Sequence, residues 1–364
     1  MQVDRRLLIH LDWVTLGISV VLGAIGVAMI HSATHSGRLS GLYLRQLAAF
    51  GLGAVALVLV LSVDYRRLAD RAVPFYLLSL AALGAVLVAG PRVAGTKRWF
   101  LLGPVQIQPS ELVKIAAALF VAKLFAESRK ERLGLADVLG PGAAIGLLAA
   151  MIAAEPDLGT AFCLVPLFLS VAFLAGLRMR AVLLLLVALL AVGGLGWRYA
   201  LKDYQKTRIY TFLDPSLDPK GAGYQKIQSQ IAVGSGGLVG KGYRQGSQSQ
   251  LGYLPARQTD FIFSVLAEEL GFIGVAVVIA LYTLLLWRSL ETAQLARDRV
   301  GAFLAAGIAA TLAFQVVYNV AMVAGLVPVK GLPLPLMSYG GSSVLSSLIG
   351  IGLILNVRMR RFVN

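Results

Sequence analysis

The chain has one cysteine, Cys163, and three histidines, His10, His31 and His35. A single thiol excludes an intrachain disulfide and says nothing of compartment. The histidines all lie near the first apolar run, so no His/Cys set with metal-ligand spacing arises. No P-loop and no Ser-His-Asp order is present. Charge is scarce at 14% of residues, with 18 acids against 33 Lys and Arg. No cleavable signal peptide is evident, and the first apolar run is long enough to remain as an anchor. No internal repeat is visible in the order of spans and loops, which argues against the repeat-built transporter architectures.

What the chain does have is apolar length. Of its 364 residues 58% are hydrophobic, and the mean hydropathy is +0.78. Runs near 20 residues recur, enough to cross a hydrocarbon core of roughly 30 Å. Ten spans are predicted, at 12–33, 42–62, 73–90, 110–127, 138–154, 158–178, 181–199, 260–287, 300–324 and 340–357. The expected fold is an all-α polytopic membrane protein over 1–364 as one domain, with a long extracytoplasmic loop at 198–259 between the seventh and eighth spans.

The net charge of +15 is not a nucleic-acid footprint, because its placement follows the membrane. Arg5 and Arg6 precede the first span, and Arg66, Arg67 and Arg71 follow the second. Lys123, Arg129, Lys130 and Arg132 follow the fourth, Arg178 and Arg180 the sixth. Arg288, Arg297 and Arg299 follow the eighth, and Arg358, Arg360 and Arg361 the tenth. The short loops opposite hold only Arg38, Arg45, Arg92, Lys97, Arg98 and Lys330. The positive-inside rule then puts both termini in the cytoplasm.

Three outer segments break the lipid-facing pattern: 91–109, 198–259 and 327–343. Loops of that length are usually functional. Within the second, Tyr224 to Val233 reads as a short amphipathic helix along the membrane surface, with Tyr224, Ile227 and Ile231 on one face, ended by Gly234-Ser235-Gly236-Gly237. In the third, Pro333 and Pro335 forbid regular helix. Irregular backbone at membrane depth is tolerated only where it is buried or lines a cavity.

Acids at membrane depth are functional candidates by default. Asp260 opens the eighth span and reads equally as a helix N-cap or as a catalytic acid. Glu268 and Glu269, over two turns deeper, cannot share a face; one is expected to pair with a basic residue of another span. Glu111 and Lys114, three apart, share a face and can neutralise each other in the bundle, as a structural pair or near an anionic substrate. Asp157 caps the sixth span or faces the cavity of Asp260. Gly340-Gly341-Ser342-Ser343 opens the last span, and its free N–H groups suit an anion such as pyrophosphate, with Ser342 and Ser343 beside it. The outer cations Lys97, Arg98, Arg208, Lys241, Arg244 and Lys330 contact lipid headgroups singly or gather around phosphate together.

Several motifs are long and unusual: Arg98-Trp99, Gln108-Pro109-Ser110-Glu111 with Lys114, Pro156-Asp157-Leu158-Gly159-Thr160, Phe212-Leu213-Asp214-Pro215, Gln228-Ser229 to Gly242, Thr259-Asp260-Phe261-Ile262-Phe263 with Glu268-Glu269-Leu270-Gly271-Phe272, and Leu334-Pro335 to Ser343. Together they resemble the SEDS family (shape, elongation, division and sporulation proteins: RodA, FtsW, SpoVE and relatives). The absence of long terminal tails is most similar to RodA, the elongation member. The resemblance implies a peptidoglycan glycosyltransferase of the bacterial cytoplasmic membrane. It would polymerise lipid II at the outer leaflet beside a class B penicillin-binding protein. It makes Asp260 the essential acid, Glu111 and Lys114 a buried functional pair and Asp157 a site acid. Arg208, Lys241 and Lys114 become candidates to stabilise the leaving pyrophosphate, with Arg98 and Lys330 nearby. Ala256 and Gln258 depart from the family's usual Glu and His, and Lys330 stands where Thr is common. No cofactor is required by the sequence; a divalent cation bridging Asp260 and pyrophosphate is left open, with no dedicated cage. A lipid II flippase and a non-catalytic scaffold for the transpeptidase are the rival readings.

Overall fold

A computed structural model describes residues 10–35, 39–92, 96–102, 105–128, 130, 132–199, 203–219 and 221–361. Ten helices of 17 residues or more stand where the ten spans are predicted: α1 Trp13–Thr34, α2 Leu42–Ser62, α3 Ala72–Ala89, α4 Pro109–Glu127, α5 Leu135–Ala154, α6 Leu158–Leu174, α7 Met179–Tyr199, α8 Ile262–Gln294, α9 Arg299–Val323 and α10 Gly341–Met359. Eight of them are long and apolar enough to cross a membrane. The other two are α6, which is shorter, and α4, which carries charge in its first turns. Pro109 starts α4 at a position where its missing N–H costs nothing. A two-stranded hairpin, Phe100–Leu102 with Val105–Ile107, precedes it.

The packing grades from centre to edge. α10 is buried along nearly its whole length, and α9 along most of it. Lipid is as apolar as Leu, so helices associate through close contact of small residues. α9 buries Gly301, Ala305, Ala306, Gly307 and Ala309, and a Cβ on Gly307 would come 3.1 Å from Val171 of α6. α7 lies at the rim and exposes Leu184, Val187, Leu190 and Leu195.

Many of the inner cations predicted by charge placement are tied into ion pairs. Arg288 Nη2 meets Asp12 Oδ1 at 2.7 Å and Arg358 Nη1 meets Glu291 Oε2 at 3.0 Å, joining the start of α1 to the C-terminal ends of α8 and α10. Arg66 Nε donates to Asp298 Oδ2 at 2.6 Å. Arg5, Arg6, Arg38 and Arg129 lie outside the described residues.

The eighth span differs from expectation. Gly271, at φ 63° and ψ −163°, breaks α8 into a buried outer piece and a long apolar helix. Residues 236–242 dock against this break: Lys241 N and Gly242 N donate to the carbonyls of Glu268 and Glu269 at 3.0 Å each, and Phe272 N donates to Gly237 O at 2.9 Å. The predicted amphipathic helix is present as Ala222–Ser235, with Ile227 and Ile231 exposed and Ser229 and Ala232 turned inward. Glycine is required where the two segments touch. Gly240 has φ +79°, and a Cβ there would sit 2.2 Å from Glu269 O. Gly240→Ala is therefore expected to destabilise the protein by about 2 kcal/mol or more, seen as a lower thermal midpoint in detergent.

Glu268 finds its cation in this loop rather than in another span, which corrects the expected pairing. Its Oε1 accepts from Lys241 Nζ at 2.7 Å and from Gln248 N at 2.9 Å. Glu269 instead accepts from Ser32 Oγ of α1 at 2.6 Å. The break explains both: it leaves the two acids at the edge of the outer loop, where backbone N–H groups and a lysine can reach them.

Candidate active site

The residues before α8 are held from three sides. Tyr339 N donates to Gln258 O at 2.9 Å, Ser338 Oγ to Thr259 O at 2.6 Å, and Asn319 Nδ2 to Asp260 O at 3.0 Å. Three successive carbonyls are thus fixed by α9 and by the irregular segment 327–340. Asn319 also donates to Leu332 O at 2.9 Å, so one side chain ties the mouth of α8 to that segment. The segment is itself anchored: Tyr282 donates to Pro335 O at 2.6 Å, and Gln46 Nε2 to Ser338 O at 2.9 Å. This satisfies the buried backbone that Pro333 and Pro335 keep out of a helix.

Asp260 is not a helix cap. The N-cap of α8 is Phe261, and no side chain caps it. The residue as a whole is half-buried. Gly331 leaves it room: a Cβ there would lie 3.4 Å from Oδ2. Burial pushes the Asp260 carboxyl up to about 7, and the negative charge of Asp157 adds to this; Arg208 and Arg98 pull it the other way.

Asp157 takes the capping role expected of it, and its charge also acts on Asp260. It caps α6, accepting from Thr160 N at 3.2 Å and Thr160 Oγ1 at 2.9 Å. It also accepts from Gln108 Nε2 at 2.8 Å and acts electrostatically on Asp260. Burial raises its carboxyl above the usual range, Arg98 opposes that, and Glu111 reinforces it. Arg98 braces the turn: Nε donates to Glu155 O and Nη2 to Pro156 O, both at 2.8 Å. Glu155 is buried in the same turn, and burial pushes its carboxyl up to about 8.

Arg208 reaches the site from the outer helix Asp203–Leu213, with Nη1 3.4 Å from Val329 O. Lys330 is pushed down to about 8, first by burial and then by the positive charge of Arg208. Acids and cations therefore alternate here: Asp157 and Asp260 among Arg98, Arg208 and Lys330.

Other candidates are placed elsewhere. Lys241 is bound to Glu268. Ser342 is buried, accepting from Gln108 N at 2.9 Å and donating to Gln106 O at 3.2 Å. Ser343 is buried too, and Gly340 N donates to Gln46 Oε1 at 3.1 Å. The start of α10 is thus already engaged with the hairpin and with α2. Glu111 and Lys114 form an ion pair of 2.9 Å with both side chains buried, and Ser346 Oγ donates to Glu111 Oε2 at 2.9 Å.

Sequence reasoning passed over Asn319. A polar residue inside the apolar ninth span was the available signal, since such residues face the bundle interior. Asn319→Ala removes both hydrogen bonds that fix Asp260 and Leu332. With Asp260 as the reacting group, its misplacement is expected to lower activity by about 10²-fold. Turnover against unchanged substrate KM checks it.

A family model for the FtsW, RodA and SpoVE cell cycle proteins matches residues 7–362. The chain belongs to this family. It is 40% identical over 357 residues to peptidoglycan glycosyltransferase MrdB of Escherichia coli K12, covering 97% of this chain and 95% of that one. It is 39% identical over 319 residues to stage V sporulation protein E of Bacillus subtilis, covering 86% of each. Among solved structures, a chain of a peptidoglycan synthase complex that coordinates polymerization and crosslinking superposes with a TM-score of 0.83 at 38% identity, covering 97% of this chain and 99% of that one. The rod shape determining protein RodA of Thermus thermophilus gives 0.73 at 33% identity, covering 97% and 98%. Family membership makes the chain a multi-pass membrane protein of the same architecture.

Proposed function

We propose that the protein polymerises lipid II into glycan strands at the outer face of the bacterial cytoplasmic membrane, with Asp260 as general base. Its class, peptidoglycan glycosyltransferase, follows from the family. Both termini are cytoplasmic in this reading, all ten long helices cross, and a class B penicillin-binding protein is the partner that crosslinks the product. The observation that carries it is one half-buried acid, Asp260, whose backbone carbonyl is held by Asn319 and whose carboxyl feels the charges of Arg208 and Arg98.

The 4-hydroxyl of the acceptor's N-acetylglucosamine attacks C1 of the donor's N-acetylmuramic acid. Asp260 takes the hydroxyl proton as the new C–O bond forms, and undecaprenyl pyrophosphate departs with the bonding electrons of the old one. Arg98, Arg208 and Lys330 supply positive charge where negative charge develops on the leaving group. Asp157 keeps Asp260 basic through its charge. Among the described residues no group of three or more His, Cys, Asp or Glu could hold a metal ion; a divalent cation brought in with the pyrophosphate would be held by Asp260 and would supply further positive charge to the leaving group.

The test is polymerisation by purified components. The protein with its transpeptidase should convert lipid II into long glycan, with strand length read on a gel. Movement of lipid II across liposomes without glycan synthesis would favour a flippase. Full activity of Asp260→Asn would leave only a scaffold.

A further inference from the structure

α9 carries a buried polar stripe, Thr311, Gln315 and Asn319, spaced four residues apart and so on one helix face. Gln315 is 1% exposed, and its Nε2 has no hydrogen-bond partner among the described residues. It lines a cavity of about 20 Å³ between α4, α9 and α10, together with Lys114, Thr311, Ser346 and Ser347. The rest of the wall is apolar, including Ile115, Ile308 and Gly350. Lys114 donates to Glu111 Oε2, yet an ammonium has three N–H groups. Two buried side chains with donor groups to spare thus line one small space. A site of roughly 10–15 Å³ or more with two to four polar partners holds a water molecule.

We propose that this cavity is a bound-water site and that Gln315 is a positioning residue for the Lys114–Glu111 pair. The water accepts from Lys114 Nζ and Gln315 Nε2 and donates to the hydroxyls of Thr311 or Ser347. An anion is disfavoured, because Glu111 already neutralises Lys114 at 2.9 Å. The bridge couples α4 to α9. One turn further along α9, Asn319 holds Asp260 and Leu332. The ion pair and the reacting carboxylate therefore hang on the same helix face. The effect on turnover rests on the reading of Asp260 as base; the water site does not.

A structure of the transpeptidase complex at a resolution that shows ordered water, with bromide in the buffer, tests the site. Density within hydrogen-bond distance of Lys114 Nζ and Gln315 Nε2, without anomalous signal, is expected. An empty cavity or a bromide peak overturns it. Two variants test the role by different chemistry. Gln315→Met removes the donor at similar volume. Gly350→Ala fills the cavity, its Cβ lying 3.1 Å from Ile308 Cγ2 and 3.3 Å from Ile115 Cδ1. Both should lose the density and lower kcat roughly tenfold at unchanged KM, as a slight misplacement would. Wild-type kcat in a Gln315→Met protein that has lost the density overturns the positioning role. If Asp260→Asn stays active while the density is present, the water site stands and only the base assignment falls.

Discussion

Asp260→Asn is expected to reduce lipid II polymerisation by about 10²–10⁴-fold, the usual contribution of a general base. The amide keeps shape and size but accepts no proton. Loss through misfolding is separable, because the charge is costly where it sits. Burial, then Asp157, raises this carboxyl from 3.8 to about 7. A folded-state value above the unfolded one means that the folded protein holds more protons between those limits. Stability therefore falls as pH rises from about 4 to about 7, and the cost is fully present above 7. Asn carries no such cost, so the variant should unfold at a higher temperature than wild type at pH 8 and gain little at pH 4. A dead but more stable protein is the signature of a site that trades stability for function.

The same charge balance sets a pH profile. A general base must be ionised, so with Asp260 in that role activity should rise through about pH 7 and then level off. Arg208→Ala removes a cation that favours the carboxylate, and the rise should move to higher pH. An unmoved profile would separate Arg208 from Asp260.

The second large effect concerns the buried ion pair. Glu111→Gln leaves the Lys114 ammonium in the bundle without its counter-charge, and Lys114→Met does the reverse to the carboxylate. Breaking one partner of a buried pair costs about 3–5 kcal/mol, whereas replacing both with apolar or neutral groups of similar volume is often neutral. Each single variant should lose most of its folded yield. The double variant Glu111→Gln/Lys114→Met should recover thermal stability while polymerisation stays low. Equal stability of all four proteins would show that the pair is solvated; recovery of full activity in the double variant would reduce it to a structural pair.

Much of this was legible in the chain. Each of the ten predicted spans coincides with a long helix, because apolar length is a local property that reports helix in a medium without water. The irregular segment at 331–340 was readable from Pro333 and Pro335, and the pairing of Glu111 with Lys114 from a spacing of three. The break at Gly271 was not readable. A glycine inside an apolar run looks like any small interfacial residue until the strap 236–242 is seen docked against it. Lys241 was misplaced for the same reason: its distance from Glu268 depends on how a long loop folds back. Asn319 and Gln315 carried a signal, polarity within an apolar span, but not a partner.

The order of residues by itself determined that this is a bundle of membrane helices, that most cations gather in alternate connections between them, and which acid stands at the mouth of the eighth helix. Hydropathy and charge act residue by residue against a fixed slab, and need no partner to be read. Only the tertiary structure decided that the backbone at 258–260 is held by Tyr339, Ser338 and Asn319 in turn, that Asp260 does not cap the helix, and that Arg98 and Arg208 bear on it while Lys241 does not. Those outcomes are distances between segments far apart in the chain, set by packing of α9, α10 and the outer loops.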